Sequence, residues 1–189
     1  MSSSSPNNNK SLHNLTGKWK QSKSLTSDIA PVLEIQGFNA LTRKAILAAP
    51  VHLSIDQKSD SEIVIEQGTS ASLPGIKEIW CPPSTDGGKL SEWMDSEDKL
   101  MGKVRSRSGW FSVGQLKESN GTEGFLIEGL DAEERVIWAE VESLAAKKAW
   151  KAVQVWRMEG GRFVRRVVTT GTGGEAGKAE TVLVYELEG

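Results

Sequence analysis

Three side chains of this sequence carry the chemistry to act on a small organic molecule: Arg165, Glu140 and Tyr185. Arg165 lies in an alternating stretch, Arg162 to Thr170, where a guanidinium can hold an acidic or carbonyl oxygen. Trp138, Glu140 and Glu142 share one face of the stretch Arg135 to Leu144, because successive strand side chains point to opposite faces. Turned inward, Glu140 would pair with Arg165 or serve as a buried general base with a raised pKa. Turned outward, the same residues form a solvated acidic stripe. Tyr185 is the single tyrosine, in the stretch Glu180 to Leu187, and a phenol can polarise a carbonyl or move a proton.

Other chemistries lack their residues. His13 and His52 are isolated, and His52 falls on the polar parity between Val51 and Leu53, a surface position. No His, Cys and Asp cluster has metal-ligand spacing, so neither a metal nor a cofactor is expected. No serine stands in a Gly-x-Ser-x-Gly setting. The run Gly171-Thr172-Gly173-Gly174 lies between strands rather than before a helix, so it is no phosphate loop. Cys81, the lone cysteine, precedes Pro82-Pro83 and reads as a core or edge thiol. Lys103, Arg105 and Arg107 alternate with Val104, Ser106 and Ser108, which puts a basic face to solvent and leads the other face to Trp110.

Composition narrows the class. The chain has 189 residues, enough for one domain with a sizeable core. Its 23 basic and 25 acidic residues give a net charge of −2, without the basic surplus of a nucleic-acid binder. No apolar run approaches the roughly 20 residues that span a bilayer, so no stable membrane insertion is expected. Residues 1–11 read as a disordered polar tail without the apolar core of a secretory signal, and 12–189 as the folded domain. With a single cysteine this favours a cytoplasmic protein, monomeric or weakly dimeric, in which the sequons at Asn14 and Asn120 are chance matches. Seven tryptophans are the outlier, and several on one barrel interior would make an aromatic ligand wall.

The elements that must position these groups are mostly strands. Lys18 to Ser22 opens the series. Ser27-Asp28 can cap a short helix with Pro31 in its first turn and Gly37 at its end. Asn39 can cap a second, Ala40 to Ala49, stopped by Pro50. Strands follow at Val51 to Asp56, Glu62 to Glu66 and Ile76 to Cys81. Residues 82–101, with Trp93-Met94 as an apolar island, read as a loop with a helical turn over the barrel. Further strands follow at Lys103 to Val113, Gly124 to Leu130, Arg135 to Leu144, Lys148 to Met158, Arg162 to Thr170 and Glu180 to Leu187. Glu159-Gly160-Gly161 is a hairpin turn and Thr170 to Gly177 a Gly-rich one. The expected fold is mainly β: a single antiparallel up-and-down β-barrel of about ten strands, with a helix-turn-helix lid near the N-terminus.

The pattern of Gly17 and Trp19 in strand one, Gly37-Phe38 and Thr42-Arg43-Lys44 in the helical pair, Pro50, the Glu159-Gly160-Gly161-Arg162-Phe163 turn and Val184-Tyr185-Glu186 in the last strand resembles the intracellular fatty-acid-binding proteins, within the calycin group that includes lipocalins. The resemblance covers roughly the first 66 and the last 40 residues. It implies two helices lidding a large cavity. It also implies a ligand carboxylate held by an inward Arg two residues before a Tyr in the last strand, plus a second Arg on a neighbouring strand. Tyr185 keeps the Tyr position, but Leu183 and Trp156 stand where the two arginines would be.

Taking inward parity from Tyr185, Thr181, Leu183 and Leu187 face in. By the same alignment Gln154, Trp156 and Met158 face in, with Phe163, Arg165 and Val167 across the hairpin. A one-residue slip would instead put Arg166 inside. Two functions remain open. One is a carrier that binds a hydrophobic small molecule against Phe38, Trp110, Trp138, Gln154, Trp156, Phe163, Leu183 and Tyr185. The other is a cofactor-free isomerase or cyclase, pericyclase-like, that folds a hydrophobic biosynthetic intermediate in the same cavity, with Arg165, Glu140 and Tyr185 as catalytic groups.

Overall fold

Alternating apolar residues build ten strands, and each pairs antiparallel with the next except β4 with β5. The computed structural model describes residues 10–68, 75–83, 87–119, 122–144, 149–172 and 177–188. The elements are β1 (Gly17–Gln21), α1 (Ala30–Ile35), α2 (Ala40–Ala48), β2 (His52–Ser59), β3 (Glu62–Gly68), β4 (Ile76–Trp80), β5 (Met94–Asp98), β6 (Gly102–Ser112), α3 (Val113–Glu118), α4 (Gly124–Ile127), β7 (Arg135–Ser143), β8 (Trp150–Glu159), β9 (Arg162–Gly171) and β10 (Lys178–Leu187). They form one sheet in the order β4-β3-β2-β1-β10-β9-β8-β7-β6-β5, an up-and-down meander in which β1 bridges back to β10. The sheet curls far enough for β4 to reach β8 and β9 across the interior, through Trp80 on Trp156 and Glu78 on Arg165. Its two edge strands, β4 and β5, are not hydrogen-bonded to each other.

Two local features set the geometry of the interior. Gly160 and Gly161, at φ 55° and 81°, supply the left-handed pair that a two-residue hairpin needs. That turn fixes the register Met158↔Phe163 and Trp156↔Arg165, so these four share one face. The second feature is the end of α1. Gly37 adopts φ 85°, its N–H donates to the Glu34 carbonyl and the Phe38 N–H donates to the Leu33 carbonyl. This is the six-to-one and five-to-two closure that a positive-φ residue allows, and it delivers Phe38 to the cavity wall. The Asn39 side chain then accepts from the Thr42 N–H and starts α2.

The apolar residues divide into an interior and an outer core. In the lower half of the barrel Leu15, Trp19, Leu53, Ile63, Ile65, Trp110, Trp156 and Phe163 pack without exposure. The N-terminal segment seals this end: His13 stacks on Trp110 at 4.7 Å, and the Trp110 indole N–H donates to the Asp60 carbonyl. Outside the wall, α3 and α4 bury Val113, Leu116, Leu126 and Ile127 against Val136, Val155 and Val168.

Several expectations need correction. The loop expected over 82–101 holds for the described residues up to Trp93, but in place of a helical turn Met94–Asp98 is the edge strand β5, paired with β6 from Met94↔Ser106 to Asp98↔Gly102. Gly124 to Leu130 is not a strand. Its run of Phe125, Leu126 and Ile127 has no alternation, and it forms α4, followed by Gly129 at φ 76°. Helix α3 was not anticipated, although Ser112 and Gln115 form a reciprocal capping box readable in the chain. Ser11, assigned to the tail, is bridged to Asn14. The tail over 1–9, most of the Gly-rich turn after Thr172 and part of the Asn120 sequon lie outside the described residues.

Gly109 is the tightest point of the wall. The segment before β5 runs along β6, with the Gly88 N–H on the Trp110 carbonyl and the Ser91 N–H on the Ser108 carbonyl. A Cβ at Gly109 would lie 2.1 Å from the Lys89 carbonyl oxygen, a backbone atom that cannot rotate away. Gly109→Ala should therefore lower unfolding free energy by about 1–3 kcal/mol, read by denaturant titration. An unchanged midpoint would mean that the segment is not packed there.

Candidate binding cavity

Above the packed lower half, the barrel encloses a cavity. A cavity of about 560 Å³ lies between the helical lid and a floor that includes Trp80, Arg165 and Tyr185. Its wall is mainly apolar: Val32, Leu33, Phe38 and Ile46 from the lid region, and Val104, Val141, Val167 and Leu183 from the strands. The gap between β4 and β5 opens onto it past Lys77, Asp95 and Glu97.

The floor is a buried ion pair in an aromatic setting. Arg165, 3% exposed, points inward from β9 and makes a two-pronged contact with Glu78 of β4, Nη1 to Oε1 at 3.3 Å and Nη2 to Oε2 at 3.1 Å. The Trp80 indole N–H donates to the same carboxylate at 2.8 Å. The guanidinium carbon lies 4.5 Å from the centre of the Trp156 ring and 5.4 Å from that of Phe163. Gln154 accepts from the Trp156 indole N–H at 3.1 Å, which holds both side chains. Arg166 points the other way, onto the Phe125 carbonyl and Glu128.

Tyr185 adjoins this pair. Burial is the largest influence on its phenol and raises the pKa; the Arg165 charge lowers it, Glu78 raises it again and a hydrogen bond with Gln21 lowers it, leaving it at about 12 against an ordinary 10.0. At neutral pH Tyr185 is a neutral hydrogen-bonding group and not a base.

The sequence-assigned residues separate into three groups. Arg165, Tyr185, Gln154, Leu183 and Phe38 line the cavity. Trp156 and Phe163 lie beneath its floor in the packed core, and Trp110 is interior but at the sealed lower end. Glu140 and Trp138 are corrections, since both face outward. The parity that places Ile137, Ala139 and Val141 inside sends Trp138 and Glu140 out, where Trp138 packs on the outer core and donates to Glu140 at 3.0 Å. Burial pushes the Glu140 carboxyl up. The hydrogen bonds from Trp138 and Arg107 and the charges of Lys151 and Arg107 outweigh it, so it stays below the ordinary range. It is a buried, ion-paired carboxylate on the outer face of the wall, held by Arg107 and Lys151, rather than a general base in the cavity.

Sequence reasoning missed Glu78, although it shares parity with Ile76 and Trp80 on β4, and missed Gln21, which shares parity with Trp19 on β1. It also left out the lid residues Val32, Leu33 and Ile46. Among the described residues no group of three or more His, Cys, Asp or Glu side chains could hold a metal ion, and no helix is long and apolar enough to cross a membrane.

No family model matches the chain, and no curated protein matches its sequence. Solved structures do match its fold. Lipid binding protein 8 of Caenorhabditis elegans superposes with a TM-score of 0.58 at 12% identity, over 92% of this chain and 94% of that one. Fatty-acid-binding protein 1 of Echinococcus granulosus gives 0.56 at 12% identity, over 93% and 98%. Human cRBP IV gives 0.54 at 12% identity, over 93% and 96%. The fold is therefore a β-barrel like that of the fatty-acid-binding proteins.

Tyr185 is the only tyrosine in the chain, so its ionisation can be read directly by ultraviolet difference absorbance. The unfolded phenol titrates near 10.0 and the folded one near 12. Stability is therefore undiminished by this group below pH 10 and falls as pH rises from 10 towards 12. Tyrosinate absorbance should appear only near pH 12 or together with unfolding. A midpoint near 10 in the folded protein would contradict the buried placement.

Proposed function

We propose that this chain binds an apolar small molecule inside its barrel. The observation that carries the reading is the mainly apolar cavity of about 560 Å³ under a helical lid, a volume within the roughly 300–1,000 Å³ of small-molecule sites. The matching folds include proteins described as lipid and fatty-acid binders, which supports the same reading. Burial of the ligand's apolar surface supplies the affinity, at about 25 cal/mol per Å² removed from water. The lid and the gap between β4 and β5 supply the route in.

The isomerase or cyclase reading loses its candidate base, while Arg165 is engaged by Glu78 and Tyr185 keeps only the donor role of a neutral phenol. Glu140 is on the outer face, and the Tyr185 phenol stays protonated at neutral pH. The proposal is therefore binding without chemistry, by a cytoplasmic chain acting alone or as a weak dimer.

A neutral apolar dye such as Nile red tests this. The protein should take up about one equivalent with a blue-shifted emission. Ala152→Phe, which adds bulk at a cavity-lining alanine, should weaken uptake about tenfold or more while the cooperative melt persists. Uptake that is absent, or indifferent to filling the cavity, would overturn the proposal.

A further inference from the structure

The cavity wall contains two hydroxyls with nothing to bond to. Thr169 of β9 and Thr181 of β10 both line it, at 0% and 2% exposure, and neither Oγ1 has a hydrogen-bond partner among the described residues. A buried hydroxyl without a partner costs about 1–3 kcal/mol, so a pair on one wall calls for an occupant. The register makes them diagonal neighbours: Thr181 stands opposite Val167, and Thr169 opposite Ala179. On the other side Thr169 faces Ala152 of β8. Thr169 thus stands between two alanines, the smallest side chains on this stretch of the wall. Helix α1 packs on β9 and β10, and Thr169 is about 13 Å along β9 from Arg165 by strand rise.

The charges on the wall say what the occupant is not. Lys77 and Arg165 are set against Glu78, Asp95 and Glu97, one more acid than base. Arg165 is engaged by Glu78, and Lys77 by Glu66 at 3.2 Å. A ligand carboxylate would enter a mainly apolar cavity whose two cations are both engaged by carboxylates of the chain, with only the Arg165 Nε–H left without a partner among the described residues, and that desolvation is unfavourable.

We propose that Thr169 and Thr181 form a subsite for the hydroxyl or carbonyl oxygen of a neutral, mainly apolar ligand, and that the Arg165–Glu78 pair excludes the corresponding carboxylate. One threonine donates to the ligand oxygen. The other accepts from it when the ligand is an alcohol. The apolar body extends past Val167 and Leu183 toward the floor. This rests on the binding function proposed above.

Displacement of Nile red by n-decanol, decanoate at pH 8 and 1-chlorodecane tests it. The unmodified protein should bind decanol about tenfold or more tightly than decanoate, and about tenfold more tightly than 1-chlorodecane. Thr169→Val with Thr181→Val keeps the side-chain shape. It should bring decanol down to the level of 1-chlorodecane, leave 1-chlorodecane unchanged, and hold or raise the melting temperature. Glu78→Gln, which frees Arg165, should raise decanoate affinity about tenfold. Decanoate binding as well as decanol to the unmodified protein, or a decanol preference that survives the threonine changes, overturns the subsite while dye uptake leaves the binding function standing. Failure of dye uptake itself overturns both.

Discussion

A charge buried inside a curled sheet has to be answered from across the interior, and the contact between Arg165 and Glu78 does this. The strands that carry the two residues, β9 and β4, are not neighbours in the sheet. Their pairing therefore joins opposite walls of the barrel. The desolvation cost of a guanidinium is offset only by good geometry and further hydrogen bonds. Here the two-pronged contact, the Trp80 donor to Glu78 and the Trp156 face against the guanidinium supply both. The pair also marks where packing ends. Below it the aromatic side chains leave no room; above it the smaller Val141, Ala152 and Val167 leave the cavity.

This arrangement changes what an interior arginine means. Unpaired, it would be an anion site. Paired with a carboxylate of its own chain, it is a charge-neutral floor that keeps one unpartnered Nε–H, and the cavity-lining hydroxyls of Thr169 and Thr181 also lack partners among the described residues. The outer core formed by α3 and α4 is separate. It packs against the outer face of the sheet, with Arg157 and Arg166 donating to backbone carbonyls of the segment at Glu128 and Phe125. Those two arginines face out from β8 and β9 while Arg165 faces in, so three arginines close in sequence or register serve opposite sides of one wall.

What was legible in the sequence followed from period and turn chemistry. The two glycines after Glu159 admit one tight turn, which fixes the β8–β9 register and with it the face of Arg165. Asn39 and Gly37 mark the lid helices for the same local reason. Glu140 shows where local reading stops. Alternation places it with Trp138 and Glu142 but does not say which face is inside. That is decided by Ile137 and Ala139 packing on the interior and by Arg107 and Lys151 waiting outside. The partner of Arg165 lies 87 residues away, a contact that only closure of the sheet creates. The strand β5 was hidden by its composition, Met-Asp-Ser-Glu-Asp, which forms a strand because β6 offers a free edge beside it.

The most direct test of the paired floor is a double-mutant cycle on stability. Arg165→Met and Glu78→Gln, singly and together, are compared by denaturant unfolding at neutral pH. If each charge exists to answer the other, Arg165→Met strands a carboxylate and should cost about 3 kcal/mol, Glu78→Gln strands a guanidinium at similar cost, and the double variant recovers most of the loss. If the two single losses add in the double variant, the residues are not partners, and Arg165 is free to meet a ligand anion.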